Sequence, residues 1–581
     1  MKVGLASAIG LGSAALVVAL AAAARQGVGP SERTGDPSGH ASFATVASFA
    51  GSDAGRRSLR GGSSEAPRHG GTMTQSVTAS YGTLNNITRT KSGEELVCRT
   101  YLFPPLLDLD PDTFEIVPLV AASRPEISPD HRRYTWRIRP GIRWHRGLPD
   151  GSPVELSTAD VEFSWRMIAD TRSGAVKAKG ALGPVESVKA VDRYTFVVET
   201  SAPYFRSELE FGYDFRIMPA HLCTQDPEAF GKDPLGRAPV GYGPYRFDEW
   251  KEGAYLSLVR NPEWFAPEKL PYWVDRVRIH FVPDVNQVPT LFERGELTLV
   301  AVNDCSRYEE MRKDAAWLER ATFHEYYLPH VVFITWNGLH PAFADPRVRR
   351  AMTLLNPRDL VRDKIYRGHA QVVSGPWAVT ARECDPSIAP LPFDPPAAAA
   401  LLDEAGWQDH DGDGWRDKYG KALRFVLEYS QTTAPVFTVG LGWFQEQLKA
   451  AGVAMETRAV ELNQLAAELG EHRYDAAMLG WVADPRDDDV YDRFHSDAID
   501  AGSNYGSYRS AECDRLVEAF RAEFDESARL KVAHAIHRRL AEDQPCTFLY
   551  NPQSLVLVST KLRNVKLHAM GARWFDWWFA E

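Results

Sequence analysis

The sequence predicts a mixed α/β protein of several domains, and three observations carry that prediction. Apolar residues alternate with polar ones at Tyr134, Trp136 and Ile138 against Arg133, Thr135, Arg137 and Arg139, the period of a half-buried strand. Asp394, Pro395 and Gly406 bracket an apolar run in the order of N-cap, first helical residue and C-terminal glycine. The chain of 581 residues also exceeds what one core supports, so roughly three or four domains are expected at about 150 residues each.

Along the chain, Lys2 is followed by an uncharged run from Val3 to Ala24, with small residues at Ala22 and Ala24. That is the pattern of an export signal over 1–24, read first as cleaved and second as an anchor. No cysteine lies near it, which excludes lipid attachment. Residues 25–75 are rich in Gly, Ser, Ala and Arg and carry too little apolar surface to offset ordering, so a disordered tether is expected. Turn chemistry at Asp108–Asp112 precedes a strand at Ile116–Leu119. Ser157 and Thr158 open a helix through Phe163, Trp165 and Met167, with Thr158 expected as N-cap. Gly241-Tyr242-Gly243-Pro244 leads into a hairpin that turns near Gly253 and stops at Asn261-Pro262. Gly295 ends a helix over Leu291–Glu293, and two helices near 511–541 follow late in the chain, the second capped by Asp525 with an apolar stripe at Leu530, Ala533, Ile536, His537 and Leu540.

Composition narrows function. With 66 basic against 77 acidic residues and net charge −11, no basic face or nucleic-acid module is present. There is no HExxH zinc motif, Walker A loop or G-x-S-x-G elbow. Six scattered cysteines without a CxxC support neither a zinc knuckle nor a redox motif; in an exported chain, one or two disulfides are expected. Asp409, Asp411, Asp413 and Asp417 sit at positions 1, 3, 5 and 9 of a calcium-type loop, with Gly414 at position 6. Position 12 is Gly420, so the bidentate carboxylate is missing, and a structural turn is the first reading.

The phrases YTWRIRPGIRW (134–144), STADVEFSW (157–165), YTFVVETSAPYF (194–205), the hairpin at Gly241–Trp264 and Pro341–Ala351 occur in an order that resembles family 5 extracellular solute-binding proteins of ABC importers, the oligopeptide-, dipeptide-, nickel- and haem-binding group. The resemblance spans roughly residues 80–581. It implies a two-lobed periplasmic-binding-protein clamp of class II with an additional inserted domain. Lobe I is expected from 76–110, 237–325 and 555–581, the inserted domain from 111–236 and lobe II from 326–554. It further implies an exported monomeric receptor without enzymatic activity or cofactor, whose partners are a small ligand, with peptides foremost, and the membrane subunits of an importer. Nickel chelates, haem and sugars stay open as ligands, and a secreted hydrolase or sensory module as other readings.

In family members that bind peptides, the aspartate of a Gly-Trp-x-x-Asp phrase pairs with the ligand's α-amino group. Here the phrase is Gly480-Trp481-Val482-Ala483-Asp484. The resemblance thus makes Asp484 the ammonium anchor and Gly480, Trp481 and Val482 a strand beside the ligand, with Asn337 and Tyr550 as further ligand contacts. Opposite, where relatives carry an acidic-glycine pair, this chain has Pro104-Pro105, which cannot donate backbone hydrogen bonds.

Overall fold

A computed structural model of the protein describes residues 66–580 except 90, 432–434 and 485. The expected signal at 1–24 and the tether as far as residue 65 lie outside the described residues. The tether was expected to reach residue 75, and there the structure differs. Gly70–Val77 is a strand with Met73 fully buried, pairing in parallel with Val274–Phe281. Its polar composition hides a strand that exists only because a distant partner supplies the ladder.

Val274–Phe281 continues antiparallel to Tyr255–Arg260 and then Tyr245–Lys251, completing a four-stranded sheet. Gly253 makes the hairpin turn at φ +69°, a conformation that favours glycine. The entry loop has a different need for glycine. A Cβ on Gly241 or Gly243 would lie 2.0 or 2.3 Å from the carbonyl oxygen of Leu102 or Tyr101. The amides of Tyr242 and Gly243 both donate to the Leu102 carbonyl at 3.0 Å. The loop therefore grips Cys98–Leu102, a π-helical turn that ends the helix Ser92–Val97.

A second four-stranded sheet combines Glu126–Ile127, Arg133–Arg137, Thr195–Thr200 and Val185–Ala190. The helix Thr158–Ala169 accompanies it and begins one residue earlier in its cap than expected. Ser157 is the N-cap, its amide donating to Asp160 at 3.0 Å, while the Thr158 hydroxyl donates to the Asp192 carbonyl.

The largest sheet has eight strands built around the 14-residue strand Cys546–Ser559. Its first half pairs with His330–Trp336, and its second with Ala321–Tyr327 and Leu299–Ala301. From His330–Trp336 the sheet runs on through Ala476–Val482, Arg424–Ser430 and Ala454–Val460. The two halves belong to different cores: Phe548 packs with Trp481 and Leu479, whereas Leu555 and Leu557 pack with Phe292 and Tyr308. Between them Asn551 is fully buried, its amide nitrogen donating to the carbonyls of Leu328 (2.9 Å) and His330 (2.8 Å). That side chain pins the place where the chain crosses between halves.

The helix Pro395–Glu404 has Asp394 as its cap and Gly406 at φ +83° beyond its end, and Asp525 caps Glu526–Asp543. All six cysteines are free, so the expected disulfides do not form. Each thiol is taken up by its own packing; Cys98, for example, lies in the core, donates to the Leu84 carbonyl and is pushed by burial up to about 12. No helix among the described residues is long and apolar enough to cross a membrane.

Candidate ligand cleft

A cavity of about 420 Å³ lies where the Gly70–Val77 sheet meets the crossing strands. That volume is in the range of small-ligand sites. The π-turn supplies one wall, bringing Arg99, Thr100 and Tyr101 to the surface of the cavity. Single π-turns of this kind recur at functional sites because they re-aim side chains that an α-helix would splay. Tyr101 meets Tyr245 and Trp574 with ring centroids 5.6 and 5.5 Å apart, so this wall is held by interlocked aromatics.

Pro104 and Pro105 line the same cavity. Their carbonyls are already engaged, Pro104 accepting from the Tyr242 hydroxyl at 2.9 Å and Pro105 from the Val120 amide at 3.3 Å. This stretch has neither donors nor a free acceptor edge for a bound chain. Recognition on this side falls to side chains.

The charged groups differ in how far they are satisfied. Arg573 donates to Asp108 at 3.0 Å. Arg99 lies over the Tyr213 ring at 4.3 Å, and its nearest carboxylate oxygen is that of Glu95 at 3.8 Å. Glu95 is claimed more closely by Lys177 at 2.6 Å. Burial alone would raise the Glu95 carboxyl, but Lys177, Arg216, Arg89 and Arg99 outweigh it and hold the group well below the usual range. Asp214, next to the cavity-lining Tyr213, has its carboxyl raised by burial and by the charges of Glu95 and Asp484, against Arg99 and Arg216.

Asp484 is half exposed and follows the Ala476–Val482 strand, as its place in the sequence requires. Its carboxylate does not stand alone: Arg206, buried, approaches Oδ2 at 2.7 Å. Burial would depress that guanidinium, yet Asp484, Tyr204, Glu210 and Asp488 keep it charged. Arg206 also donates to the carbonyls of Arg486 (3.2 Å) and Asp487 (2.6 Å). Nearby, Tyr204 donates to Asp489 at 2.8 Å, and Phe205 meets Phe520 at 5.1 Å. The 204–206 segment is thereby clasped by the 484–489 loop and the helix Ala511–Ala522.

The strand beside Asp484 is paired along one edge and only partly along the other. Gly480 to Val482 pair with Val332 to His330 on one side. On the other side the ladder with Arg424–Ser430 reaches only Ala476 and Ala477. The other sequence-predicted residues turn inward. Trp481 is buried, tilted against Phe333 at 3.8 Å, and its Nε1 donates to the Pro376 carbonyl at 2.8 Å. Gly480 and Trp481 border a separate void of about 50 Å³. Asn337 spends its amide on the carbonyls of His472 and Tyr474 at 2.9 and 2.6 Å. Tyr550 is buried against Tyr366 at 5.1 Å. The side chains of Trp481, Asn337 and Tyr550 are each engaged in the packing of their own half. Sequence reasoning passed over Arg99, Asp108, Tyr213 and Arg206, although Arg99 stands only five residues before the proline pair it singled out.

Asp409, Asp411 and Asp413 converge to within 4.8 Å and are exposed. Their oxygens already cap the loop, Asp409 accepting from Gly412 and Gly414 and Asp413 from Trp415. Asp417 stands outside this group and accepts from the His410 amide at 3.0 Å. A two-residue-strand hairpin, and not a helix, follows.

A buried Ser374–His537 pair at 3.0 Å has the look of a nucleophile and base. The Asp385 amide donates to His537 Nδ1 at 2.9 Å, so Nε2 must carry the proton and point it at the serine. Burial holds this imidazole at about 4. The histidine is a donor here and cannot take a proton from Ser374.

Comparison with known proteins places this geometry. The model of the middle region of family 5 bacterial extracellular solute-binding proteins matches residues 115–500. The chain is 28% identical over 465 residues to the oligopeptide-binding protein AppA of Bacillus subtilis, covering 77% of this chain and 81% of that protein. The solved structure of AppA in complex with a nonapeptide superposes with a TM-score of 0.72 at 25% identity, covering 89% of this chain and all of that one. NikA of Brucella suis in complex with Fe(III)-EDTA shares the fold, with a TM-score of 0.75 at 20% identity over 88% of this chain and all of that one.

Proposed function

The chain belongs to the family 5 bacterial extracellular solute-binding proteins, and from that premise we propose that it captures short peptides along a path from the open strand edge beside Asp484 to the 420 Å³ cavity, and presents them to the membrane subunits of an ABC importer. The observation that carries the reading is Asp484, a half-exposed carboxylate at the end of a strand whose edge is open beyond Ala477. A carboxylate has about four acceptor sites. Arg206 engages one oxygen, and an α-ammonium can take the other with a charge-assisted hydrogen bond. The free strand edge at Gly480–Val482 then receives the ligand backbone as an added strand, leaving ligand side chains largely unread.

Closure supplies the signal. Lobe I from 76–110, 237–325 and 555–581, extended back to Gly70, lobe II from 326–554 and the inserted domain from 111–236 are the bodies that move in this proposal. Support comes from the clasp at Arg206 and the crossing at Asn551. Rotation about a fixed crossing is the usual way such clamps report occupancy. The reading assigns no covalent chemistry; the protonated face of His537 toward Ser374 supports that. The uncharged run Val3–Ala24 supports export, with the following segment as a tether.

The test is native mass spectrometry of protein purified from its own host. Co-purified short peptides that are lost on Asp484→Ala are expected. An empty protein whose thermal midpoint ignores a peptide library sinks the reading.

A further inference from the structure

Arg99 and Arg307 are the cavity-lining arginines whose chemistry the cleft leaves unfinished, and Arg99 is the one seated on the π-turn over an aromatic ring. Among the described residues no acceptor takes a hydrogen bond from its guanidinium. Its contacts are the Tyr213 ring beneath it at 4.3 Å and a Glu95 oxygen at 3.8 Å, too far for a hydrogen bond. The contrast with its neighbours is sharp. Arg573 is tied to Asp108 at 3.0 Å, and Arg206 is tied to Asp484 and two carbonyls. Glu95, the nearest counter-charge, is held by Lys177 at 2.6 Å and is 3.7 Å from Arg216.

A guanidinium carries five N–H donors in a planar fork that matches a carboxylate two bonds at a time. A fork that no protein acceptor holds, and that opens on a cavity, can take an acceptor that arrives with the ligand. Arg99 has the setting for this. Its side chain is 28% exposed, and that exposure opens on the cavity it lines. It stands on the π-turn that Gly241 and Gly243 hold in place, and Tyr213 fixes its plane from below.

We propose that Arg99 is a specificity-determining residue that binds a carboxylate of the ligand through a two-pronged, charge-assisted hydrogen bond. The proposal rests on the peptide reading above, in which Asp484 takes the ammonium end. Two carboxylates qualify chemically, the α-carboxylate of a short peptide and the side chain of an Asp or Glu within it. The receptor would thus prefer ligands with a free acid over amidated or neutral ones.

The experiment incubates the full chain with three pooled tripeptide libraries and reads retained ligands by native mass spectrometry. One library ends in a free carboxylate, one is C-terminally amidated without Asp or Glu, and one is amidated but contains a Glu. The wild type is expected to retain free-acid peptides at least about tenfold over neutral amides, the range of a charged hydrogen-bonded contact. Retention of the Glu-containing amides assigns the contact to side chains, and their absence assigns it to the terminus. Arg99→Gln is expected to erase the preference, and Arg99→Lys to keep it in part, because the charge stays and the fork goes. Equal retention of acids and neutral amides by the wild type overturns the assignment while leaving the peptide reading intact, and so does a preference that survives in a folded Arg99→Gln. Retention of no library at all removes the peptide reading and this assignment with it.

Discussion

Replacing Glu383 by glutamine isolates a single titration under the loop that carries Asp484. Glu383 is buried, and its Oε1 accepts from the Asp487 amide at 2.9 Å. Burial, with repulsion from Asp487 and Asp488, pushes its carboxyl up to about 7 from an ordinary 4.5, against the hydrogen bonds of its own and the Asp487 amide. Between those two values the native state holds a proton that an opened state releases, so stability is lost as pH rises through the window. The gap of roughly 2.5 units corresponds to about 3 kcal/mol. Glu383→Gln keeps the acceptor and removes the charge. At pH 8 the variant's 486–490 segment should resist opening by up to about 3 kcal/mol more than wild type, on the order of a hundredfold in exchange protection. At pH 5 the two should coincide. Hydrogen exchange read by mass spectrometry at both pH values, corrected for intrinsic rates, makes the comparison. Equal protection at pH 8 refutes the account of Glu383.

Arg206→Met removes a charged group bonded to one carboxylate and two carbonyls across the clasp, costing the closed form about 2–3 kcal/mol; small-angle scattering of the ligand-free variant should show a larger radius of gyration, and an unchanged profile contradicts the clasp. Gly243→Ala forces a Cβ to within 2.3 Å of the Tyr101 carbonyl and should destabilise the protein by about 1–3 kcal/mol, seen as a lowered thermal midpoint with weakened ligand binding. His145, His330 and His537 are each held near 4 by burial, so the unfolded chain takes up protons first as pH falls. Stability should therefore fall progressively from about pH 6.5 toward 4, and His330→Gln should shrink that slope in acid melts.

Much of the local architecture was legible because it is written in local chemistry. The hairpin turn at Gly253, the Asp394–Gly406 helix and the Asp525 cap each follow from residues within a few positions of one another. The strand at Gly70–Val77 was not legible, because its only ladder partner in that sheet lies some 200 residues away and its own composition is polar. Asp484 stands in a motif legible in the sequence, yet its pairing with Arg206 depends on two segments 278 residues apart meeting in the fold. The inward packing of Trp481, Asn337 and Tyr550 was not legible for a related reason: an aromatic or amide near a motif reads the same whether it faces a cleft or a core. Arg99 gave no signal beyond its nearness to Pro104-Pro105, since the π-turn that exposes it has no sequence signature of its own.

The strand Cys546–Ser559 also dictates the order in which the protein can be made. Leu299–Ala301, Ala321–Tyr327 and Ala370–Val372 have no ladder partner among the described strands except this one. His330–Trp336 likewise waits for it on one edge. During synthesis the central sheet therefore stays open until nearly the whole chain exists, and contacts between such distant segments form slowly. The two halves are therefore joined by a strand that is among the last segments of the chain to be made. Until then, the strands it will join have an unpaired edge, and the two cores on either side of Asn551 are without their shared ladder.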